Sequence, residues 1–562
     1  MINRAVLSSL MVLCLMAGGA WGAGQRPNIL LIVADDLGYS DLGAFGSEIE
    51  TPNLDQLAYQ GVRFTNYNIH FNCAPSRAML LSGVDPHLAG LGVMARYETG
   101  EQRGRPGYET HLNQQVVTFA SVLRDAGYHT YMAGKWHMGG KPELLPDQRG
   151  FEKSFVLVQG GGHHFSRRGY SRDVDPVDYR ENGQEVELPE NFYSTKTYTD
   201  KLIEYIGSEI KDDKPFLAFA SYTAPHWPLQ APDEFIAKYQ SVYDDGYQVI
   251  AENRLAKMRS LGLLEPEIAA APQHDVWPAW SELSAAQQRL ESRRMQVYAA
   301  MVDAMDHHVG RLLDYLKSER VLDNTVVIFM SDNGPEGNNP MDIRGNHLWV
   351  PSQFDTGVEN MGRPGSWAWT GPGWAHVSAT PFRLYKWFPT AGGIRSPLII
   401  KLPGSQSLGR ISSGFTTAMD ITPTLLELGN TAHPGRRYKN RDVYPLQGSS
   451  LLPHLNDARV AVHDETYAVG WELFNRRALV KGPWKLVSMN APWGEGEGVW
   501  SLFNLAKDPT ELTDVSALHP GKMKEMLAEW RAYVAANNVV ELEHFEVRFS
   551  NQLDHYDYGN NE

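Results

Sequence analysis

The stretch NILLIVA, residues 28–34, sets the fold, and Asp35 and Asp36 follow it directly. A continuous apolar run of this length is typical of a β-strand that is buried on both faces of a parallel sheet. Two later runs have the same character, PFLAFA at 215–220 and NTVVIFMS at 324–331. Helical patterns separate the three runs, so we predict an α/β fold built on a large sheet. Ligands of open α/β sheets bind at the carboxyl ends of the strands, which directs attention to the polar residues behind each run.

Two of these predicted strands end in a pair of oxygen donors. Asp35 and Asp36 close the first run, and Asp332 and Asn333 close the run at 324–331. One such pair alone could equally cap a helix or form a turn. Two buried strands that both end this way favour a shared cation site. Carboxylate and amide oxygens are hard ligands, so we expect Ca²⁺, with Mg²⁺ as the second choice, rather than a metal that prefers thiolate.

A second chemical signal is the string CAPSR, residues 73–77, with the apolar run AMLL behind it. Pro75 suits the first turn of a helix, because its missing N–H group and fixed φ do no harm there. Cys73 is then expected just ahead of a helix N-terminus, where free backbone N–H groups favour an anion. Arg77 adds a fixed positive charge one turn further in. The string outlines a nucleophile in an anion-binding site, and the alternative is a small, buried, apolar cysteine.

Three further segments carry candidate polar residues. Lys135 and His137 follow a short strand predicted at 128–133, and His226 follows the run at 215–220. A Lys-x-His pair by itself is also common on protein surfaces. The run GGGHH, residues 160–164, lies in a loop rich in Gly, Arg and Asp. It fits a solvated turn slightly better than the wall of a pocket.

The N-terminal residues have the pattern of a secretory signal. A short basic start and a brief apolar stretch precede small residues at 20 and 22, so we predict a signal peptide at 1–22 and a secreted or periplasmic protein. No later stretch is long and apolar enough for a membrane helix. The chain has two cysteines, and Cys14 leaves with the signal. Cys73 then remains as a lone thiol in an oxidising compartment, an unusual situation that suggests a chemical role for this residue.

Composition and spacing suggest two domains after the signal. The 562-residue chain is 42% hydrophobic, which is ample for a large core, and its net charge of −15 argues against nucleic acid as a partner. The candidate residues named so far run from Asp35 to Asn333 and must meet in one site, so we predict a catalytic domain at 23–460. Short strands and a final helix at about 521–536 then predict a smaller C-terminal α+β domain with an antiparallel sheet at 461–562.

Two stretches of the predicted catalytic domain have no role that the sequence assigns. Residues 231–296 have the pattern of an insertion, and residues 345–387 are rich in aromatic residues, with five tryptophans among them. Long loops are often functional, and aromatic rings stack well on an aryl group or a sugar ring. The same rings could equally fasten the loop to the body of the protein.

Taken in order, these motifs resemble those of the type I sulfatases, and of bacterial arylsulfatases in particular. The segments that carry the resemblance are Asp35-Asp36, Cys73-Ala74-Pro75-Ser76-Arg77, Gly134-Lys135-Trp136-His137, Pro225-His226, Asp332-Asn333-Gly334, and Lys386 ahead of Gly392-Gly393-Ile394-Arg395. The resemblance implies the alkaline phosphatase-like sandwich, in which helices flank a large mixed, mostly parallel sheet. It also implies that a formylglycine-generating enzyme oxidises Cys73 to formylglycine (3-oxoalanine), an aldehyde that hydrates to a geminal diol.

The resemblance further implies a role for each matching residue. The Ca²⁺ ligands would be residue 73 with Asp35, Asp36, Asp332 and Asn333. Arg77 would hold the diol, and Lys135 and Lys386 would bind the sulfate oxygens. One diol oxygen would attack sulfur, and His226 would protonate the departing alcohol. His137 would then act as the base that releases sulfate from a formylglycine sulfate ester, so the implied reaction is hydrolysis of a sulfate monoester of the aryl sulfate type.

Three alternatives stay open at this point. A carbohydrate sulfatase would suit the aromatic loop at 345–387. A formylglycine-dependent phosphonate or phosphodiester hydrolase of the same superfamily would share the metal and residue 73. A non-catalytic, metal-stabilised binding protein would keep the metal but leave the Cys73 thiol unmodified.

Overall fold

The computed structural model describes residues 26–343, 345–404, 409–496 and 498–542. The predicted signal peptide at 1–22 lies outside the described residues, and so does the end of the predicted C-terminal domain after residue 542. The division of the chain at residue 460 stays a prediction.

The strands of the described residues form one large sheet, one short hairpin and one small sheet. The large sheet contains β1 (Asn28–Ala34), β2 (Val62–Asn68), β3 (His129–Lys135), β4 (Lys153–Leu157), β5 (Tyr179–Glu181), β6 (Gln184–Glu185), β7 (Phe216–Ser221), β8 (Thr325–Ser331), β9 (Arg395–Lys401), β10 (Arg410–Ser412) and β11 (Thr416–Thr417). The hairpin contains β12 (Arg437–Tyr438) and β13 (Arg441–Asp442). The small sheet contains β14 (Ala468–Leu473), β15 (Arg476–Lys481), β16 (Trp484–Ser488) and β17 (Ser501–Asn504).

The large sheet is mixed, with a parallel centre. Its spatial order is β10-β2-β9-β8-β1-β7-β3-β4-β5-β6, and β11 also pairs with β2. Strand β1 runs parallel to β7 and β8, and β3 runs parallel to β7 and β4. Strand β9 runs antiparallel to both of its neighbours, β2 and β8. The prediction of an α/β fold on a large, mostly parallel sheet is confirmed.

Both faces of the central strands are covered, which explains why their sequences are apolar throughout rather than alternating. Ile29, Leu31 and Val33 of β1 belong to the core on one face of the sheet. Leu30 and Ile32 belong to the core on the other face. Each of these five residues is fully buried. A strand buried on two sides has no solvent-facing positions, so the polar residues that follow its end are the chemically informative ones.

Helices flank the large sheet and the small sheet. They are α1 (Pro52–Gln60), α2 (Cys73–Ser82), α3 (Pro86–Ala89), α4 (Phe119–Asp125), α5 (Ser194–Glu209), α6 (Asp233–Lys238), α7 (Gly246–Ser260), α8 (Ala285–Ser318), α9 (Asn346–Gln353), α10 (Pro372–Ser378), α11 (Ala391–Ile394), α12 (Ile421–Leu428), α13 (Leu452–Asn456) and α14 (Pro520–Ala536). The longest, α8, begins before its apolar pattern does, because Ser284 and Gln287 form a reciprocal capping box. No helix in the described ranges has the length and apolar character needed to cross a membrane.

The insertion and the aromatic loop pack against each other. Trp374, from the loop at 345–387, is fully buried and makes edge contacts with Tyr243 and Tyr247 of the insertion. Its indole N–H donates to the backbone carbonyl of Glu291 at 2.8 Å. The guanidinium of Arg294 stacks over Trp369 at 3.8 Å. These two tryptophans therefore fasten the loop to the insertion and to α8.

The small sheet packs one face on α14 and the other on the large domain. Leu479 and Leu486 meet Trp530 of α14, and Trp471 belongs to the core of the large domain. The indole N–H of Trp471 donates to the carbonyl of Ile69 at 2.9 Å, three residues before Asn72. An antiparallel sheet with a helix on one face is what the sequence predicts for this region.

Candidate active site

The topology brings the predicted site residues to one edge of the large sheet. Strands β1, β3, β7 and β8 are parallel neighbours, so their carboxyl ends lie together. Asp35 and Asp332 each follow the last residue of a strand, and Lys135 is itself the last residue of β3. Lys386 comes from the segment ahead of β9, whose antiparallel direction starts it at the same edge.

Cys73 is the first residue of α2, not a residue ahead of it as predicted. The reason is Asn72, whose side-chain oxygen accepts a hydrogen bond from the backbone N–H of Cys73 at 3.1 Å and so caps the helix one position earlier. Cys73 is 4% exposed, and burial raises the pKa of its thiol. A buried thiol with a raised pKa is a poor nucleophile in its unmodified form.

Three buried ion pairs hold the carboxylates of the site. The ammonium group of Lys135 donates to both carboxylate oxygens of Asp35 at 2.8 and 2.7 Å. Lys386 does the same for Asp36 at 2.8 and 3.0 Å. The Arg77 guanidinium donates through Nε to Asp332 at 2.8 Å and through Nη1 to the hydroxyl of Ser221 at 2.6 Å. These buried charges balance one another, and removing either partner of a pair would leave an uncompensated buried charge.

The same carboxylates could hold a divalent cation. Ligand atoms of Asp35, Cys73 and Asp332 lie within 4.8 Å of one another, and those of Asp35, Asp36 and His226 do so as well. Asn333 donates through Nδ2 to Asp36 at 2.6 Å. Within the described part of the chain its buried Oδ1 atom has no hydrogen-bond partner. A buried acceptor without a donor, beside three carboxylates, fits an oxygen-ligated cation such as Ca²⁺.

Asp35 and Asp36 are adjacent in sequence but differ in their pKa values. Burial raises the pKa of Asp35 to about 8, against the opposing effect of Lys135. Burial acts in the same direction on Asp36, but Lys386, His226 and Lys135 outweigh it and lower the pKa of Asp36 to about 2. Asp36 also has a φ of 65°, a left-handed backbone conformation that is rare for a residue with a side chain. Strain of this kind is typical of a position that the surrounding site requires.

The two predicted histidines lie in the same cluster. The Nε2 atom of His226 is 3.6 Å from the Asp36 carboxylate, while its Nδ1–H donates to the backbone carbonyl of Trp227. The Nδ1 atom of His137 is buried and lacks a hydrogen-bond partner among the described residues. Burial lowers the pKa of both imidazoles well below the usual range for histidine. Both rings therefore favour the neutral form rather than that of a fixed charged group.

A cavity of about 990 Å³ opens above this cluster. Cys73, His137, His226 and Lys386 line its floor. Its walls carry aromatic rings, with Tyr97, Tyr170, Trp227 and Trp387 among the lining residues. The structure thus brings every residue of the predicted site into one cluster, and four of them face a cavity large enough for an organic ester.

Several residues of the site were not predicted from the sequence. Asn72 caps the Cys73 helix, and Ser221 supports Arg77. Glu336 is a buried carboxylate 3.4 Å from the Lys386 ammonium group. Its only sequence signal is its position three residues after Asn333. The expectation of a solvated turn at 160–164 was wrong, because His163 and His164 are 2% and 1% exposed and Gly160 lines the cavity.

Comparisons with known proteins agree with the geometry. The model of the Sulfatase family matches residues 27–431. An uncharacterised sulfatase of Schizosaccharomyces pombe is 41% identical over 544 residues, covering 93% of this chain and 96% of the relative. An arylsulfatase of Klebsiella aerogenes is 38% identical over 455 residues, covering 80% of this chain and 96% of that protein.

Solved structures resemble the whole fold. The crystal structure of Ps i-CgsB in complex with k-i-k-neocarrahexaose aligns with a TM-score of 0.65 at 24% identity, covering 93% of this chain and 96% of that one. A putative sulfatase from Bacteroides fragilis aligns with a TM-score of 0.61 at 18% identity, covering 93% and 98%. The alkaline phosphatase-like fold and the resemblance to sulfatases are confirmed. The protein belongs to the sulfatase family and is a sulfuric ester hydrolase.

Proposed function

We propose that the protein hydrolyses aryl sulfate esters, with formylglycine formed from Cys73 and with a Ca²⁺ ion held beside it. The observation that carries the proposal is the convergence of Cys73, three carboxylates and three cationic side chains in and beneath the floor of one cavity, which Cys73 and Lys386 line. Such a floor pairs a nucleophile position with donors for an anionic group, which is what sulfuryl transfer needs. The Mg²⁺ ion is the second choice, because it demands a stricter octahedral geometry.

Asp35, Asp36, Asp332 and Asn333 would hold the cation through carboxylate and amide oxygens. A bound Ca²⁺ would neutralise charge on the sulfuryl oxygens. The ammonium groups that now neutralise Asp35 and Asp36 are those of Lys135 and Lys386. With a cation sharing those carboxylates, both ammonium groups have charge to offer an anionic ester, so their role is to bind the substrate sulfate.

Residue 73 and Arg77 would form the nucleophilic centre. One oxygen of the hydrated aldehyde would bond to sulfur as its proton passes to a neighbouring carboxylate, Asp35 or Asp332. The second hydroxyl is the group through which sulfate is later expelled. Arg77 lies one helical turn from residue 73 and is fixed by Asp332 and Ser221. Its Nη2 group is buried and lacks a partner in the described ranges. It is therefore available to donate to an oxygen on residue 73.

The two histidines would move the protons. His226 gives a proton from Nε2 to the ester oxygen as the bond from sulfur to that oxygen breaks, so the alcohol leaves neutral. An anionic ester beside His226 favours its protonated form, in the same sense as Asp36 does. His137 accepts the proton of the remaining hydroxyl of residue 73 when sulfate departs. Its lowered pKa keeps it neutral, as a base requires.

The substrate class is proposed from two observations. The arylsulfatase of Klebsiella aerogenes is 38% identical to this chain, and aromatic side chains line the cavity. Aromatic walls favour a flat aryl group. The cavity volume of about 990 Å³ also favours a second candidate, a sulfated sugar, because it exceeds what a single benzene ring fills. A secreted or periplasmic location and maturation by a formylglycine-generating enzyme are parts of the same proposal.

One experiment tests the proposed function. The protein is produced with a formylglycine-generating enzyme, and the tryptic peptide 64–77 is analysed by mass spectrometry, which should show sulfur lost and an aldehyde gained at residue 73. The same sample is assayed on p-nitrophenyl sulfate, a sulfated sugar and a phosphonate monoester. We expect the highest kcat/KM on the aryl sulfate. An intact thiol with full turnover would contradict the mechanism, and a preference for the sugar or the phosphonate would contradict the substrate.

A further inference from the structure

The loop behind β4 brings three consecutive glycines to the wall of the site. Gly160, Gly161 and Gly162 are all buried, and Gly160 lines the cavity. The loop lies alongside β3 because the backbone N–H of His137 donates to the carbonyl of Val158 at 3.1 Å. The glycine run therefore begins two residues after Val158, whose carbonyl is hydrogen-bonded to the backbone of His137.

Each glycine faces a different neighbour at close range. A Cβ atom on Gly160 would lie 2.7 Å from Cε1 and 2.8 Å from Nε2 of His137. A Cβ atom on Gly161 would lie 3.0 Å from Cε1 and 3.1 Å from Nδ1 of His226. A Cβ atom on Gly162 would instead meet the methyl groups of Val177 at 3.2 and 3.3 Å. Two of the three glycines thus press backbone against the two imidazoles of the site, and the third does not.

The backbone conformation does not require these glycines. None of the three has a φ in the left-handed region, so alanine suits the backbone at each position. Space is what excludes a side chain. A real Cβ atom hardly ever lies within 3.0 Å of another heavy atom, so at Gly160 the imidazole would have to move.

Other contacts support the two rings to different degrees, and His226 has more of them than His137. His226 stacks on Trp227, with ring centroids 5.1 Å apart and planes 25° apart, so Gly161 lies against a ring that is also covered by indole. His164, two residues after Gly162, donates through Nε2 to the backbone carbonyl of His226 at 3.0 Å. For His137 the described residues provide no partner to Nδ1. Close contact with the Gly160 backbone is therefore a restraint on a ring whose Nδ1 atom no hydrogen bond fixes.

We propose that Gly160 and Gly161 are positioning residues, one for each imidazole: Gly160 fixes the His137 ring and Gly161 fixes the His226 ring. This inference rests on the proposed proton-transfer roles of the two histidines. Because those roles belong to different steps, the two glycines affect different steps. Gly161 acts on departure of the alcohol, and Gly160 acts on departure of sulfate.

The test compares the single variants Gly160→Ala, Gly161→Ala and Gly162→Ala on a series of aryl sulfates with leaving phenols of different acidity. Displacing a catalytic ring by about 1 Å can cost about 10²-fold in rate. We expect Gly161→Ala to lose activity most on esters with the least acidic phenols, since those depend most on the proton from His226. We expect Gly160→Ala to lose turnover equally on all esters, with a burst of phenol before a slow steady state.

Gly162→Ala is the matched control. It adds the same methyl group to the same loop at a position that meets Val177 instead of a histidine, so its loss of activity should stay below about threefold. Its thermal unfolding should shift as much as that of the other two variants. Similar losses in all three glycine variants, with the same dependence on the leaving phenol, would show a general loosening of the loop and would overturn the proposal.

Double variants separate this inference from the proposed function. If Gly161 acts through His226, Gly161→Ala should cost little further activity in a His226→Ala background, whereas independent effects would multiply. Multiplying losses would overturn the proposal. If His226→Ala alone shows no extra loss on poor leaving groups, the proposed acid role fails. If His226→Ala shows that loss and Gly161→Ala does not, the positioning role alone fails.

Discussion

Strand β3 has a cluster of acidic and basic side chains at each end, and the two clusters differ in their exposure to solvent. At its carboxyl end Lys135 meets Asp35, and the carboxylates there are at most 1% exposed. At its amino end His129 meets Glu152 and Asp212 at 2.8 and 2.7 Å. The side chains of those two acids are 35% and 39% exposed. Both ends bring three potential ligand atoms within 4.8 Å of one another, and at the exposed end these atoms belong to His129, Glu152 and Glu209.

The comparison shows that burial and unsatisfied polar atoms, not the number of acids, distinguish a reaction site from a solvated ion cluster. At the buried end Asn333 Oδ1 and Arg77 Nη2 are without partners in the described residues, and a cavity opens beside them. At the exposed end both nitrogens of His129 are paired with carboxylates, and water reaches the acids. Charges in water interact weakly, whereas charges out of water must be balanced by a ligand or by each other.

The largest expected difference between the two ends is in activity. Asp332→Asn removes the carboxylate that holds Arg77 and a proposed ligand of the cation, so kcat/KM for p-nitrophenyl sulfate should fall at least about 10²-fold. Glu209→Gln makes the same chemical change at the exposed end and should leave kcat/KM within about twofold. Steady-state kinetics with circular dichroism on both variants checks this. Comparable losses of kcat/KM in the two variants would contradict the distinction between a buried reaction site and an exposed ion cluster.

Binding of Ca²⁺ should also separate the ends. A ligand present at about 100 times its Kd stabilises the folded state by about 2.7 kcal/mol. Calcium added after chelation should therefore raise the unfolding temperature of the wild type and of Glu152→Gln by the same amount. It should not raise that of Asp35→Asn. Differential scanning calorimetry measures the shifts in unfolding temperature. A shift that is lost in Glu152→Gln but kept in Asp35→Asn would place the cation at the exposed, amino end of β3 and contradict the proposal.

A third buried charge cluster, outside the cavity, sharpens the comparison through pH. His87 contacts Asp85 at 3.0 Å and Glu472 of the small sheet at 3.3 Å. Burial opposes protonation, but these two acids raise the pKa of His87 to about 9. The contacts of protonated His87 with Asp85 and Glu472 therefore stabilise the folded state fully below pH 6.5. Up to about 3 kcal/mol of the free energy of unfolding is lost as pH rises through 9. Urea unfolding across this range should show the loss in the wild type and not in His87→Gln.

The smallest expected effect lies at the exposed cluster. Burial again opposes protonation of His129, and Asp212 and Glu152 overcome it, so the pKa of His129 is raised. Stabilisation is present below pH 6.5 and is lost as pH rises above that value, as for His87. Solvent screening should keep it under about 1 kcal/mol and reduce it further in high salt. Unfolding of His129→Gln at low and high salt measures it, and a salt-independent effect as large as that of His87 would be contrary to this account.

Much of the fold and of the site could be predicted from the sequence because each depends on local patterns. The apolar runs identify the buried strands, and Asp35 and Asp332 follow strand ends directly. A pair of polar residues at the end of a predicted parallel strand indicates a ligand site, because the topology of the sheet brings the carboxyl ends of such strands together.

The residues that escaped prediction act through contacts that no local pattern encodes. Gly160 is informative only once its distance to His137 is known, and Glu336 only once Lys386 lies beside it. The tryptophans of the loop at 345–387 could stack on a ligand or fasten the loop, and only packing decides between the two. In the fold two of them fasten it, while Trp387 lines the cavity.

The most direct test of the central claim is activity measured against the fraction of residue 73 that is converted. Samples are prepared with graded amounts of a formylglycine-generating enzyme, conversion is read from the tryptic peptide 64–77, and turnover of p-nitrophenyl sulfate is measured on each. The account predicts a straight line through the origin, with Cys73→Ala at zero. Turnover that is unchanged at zero conversion would contradict it.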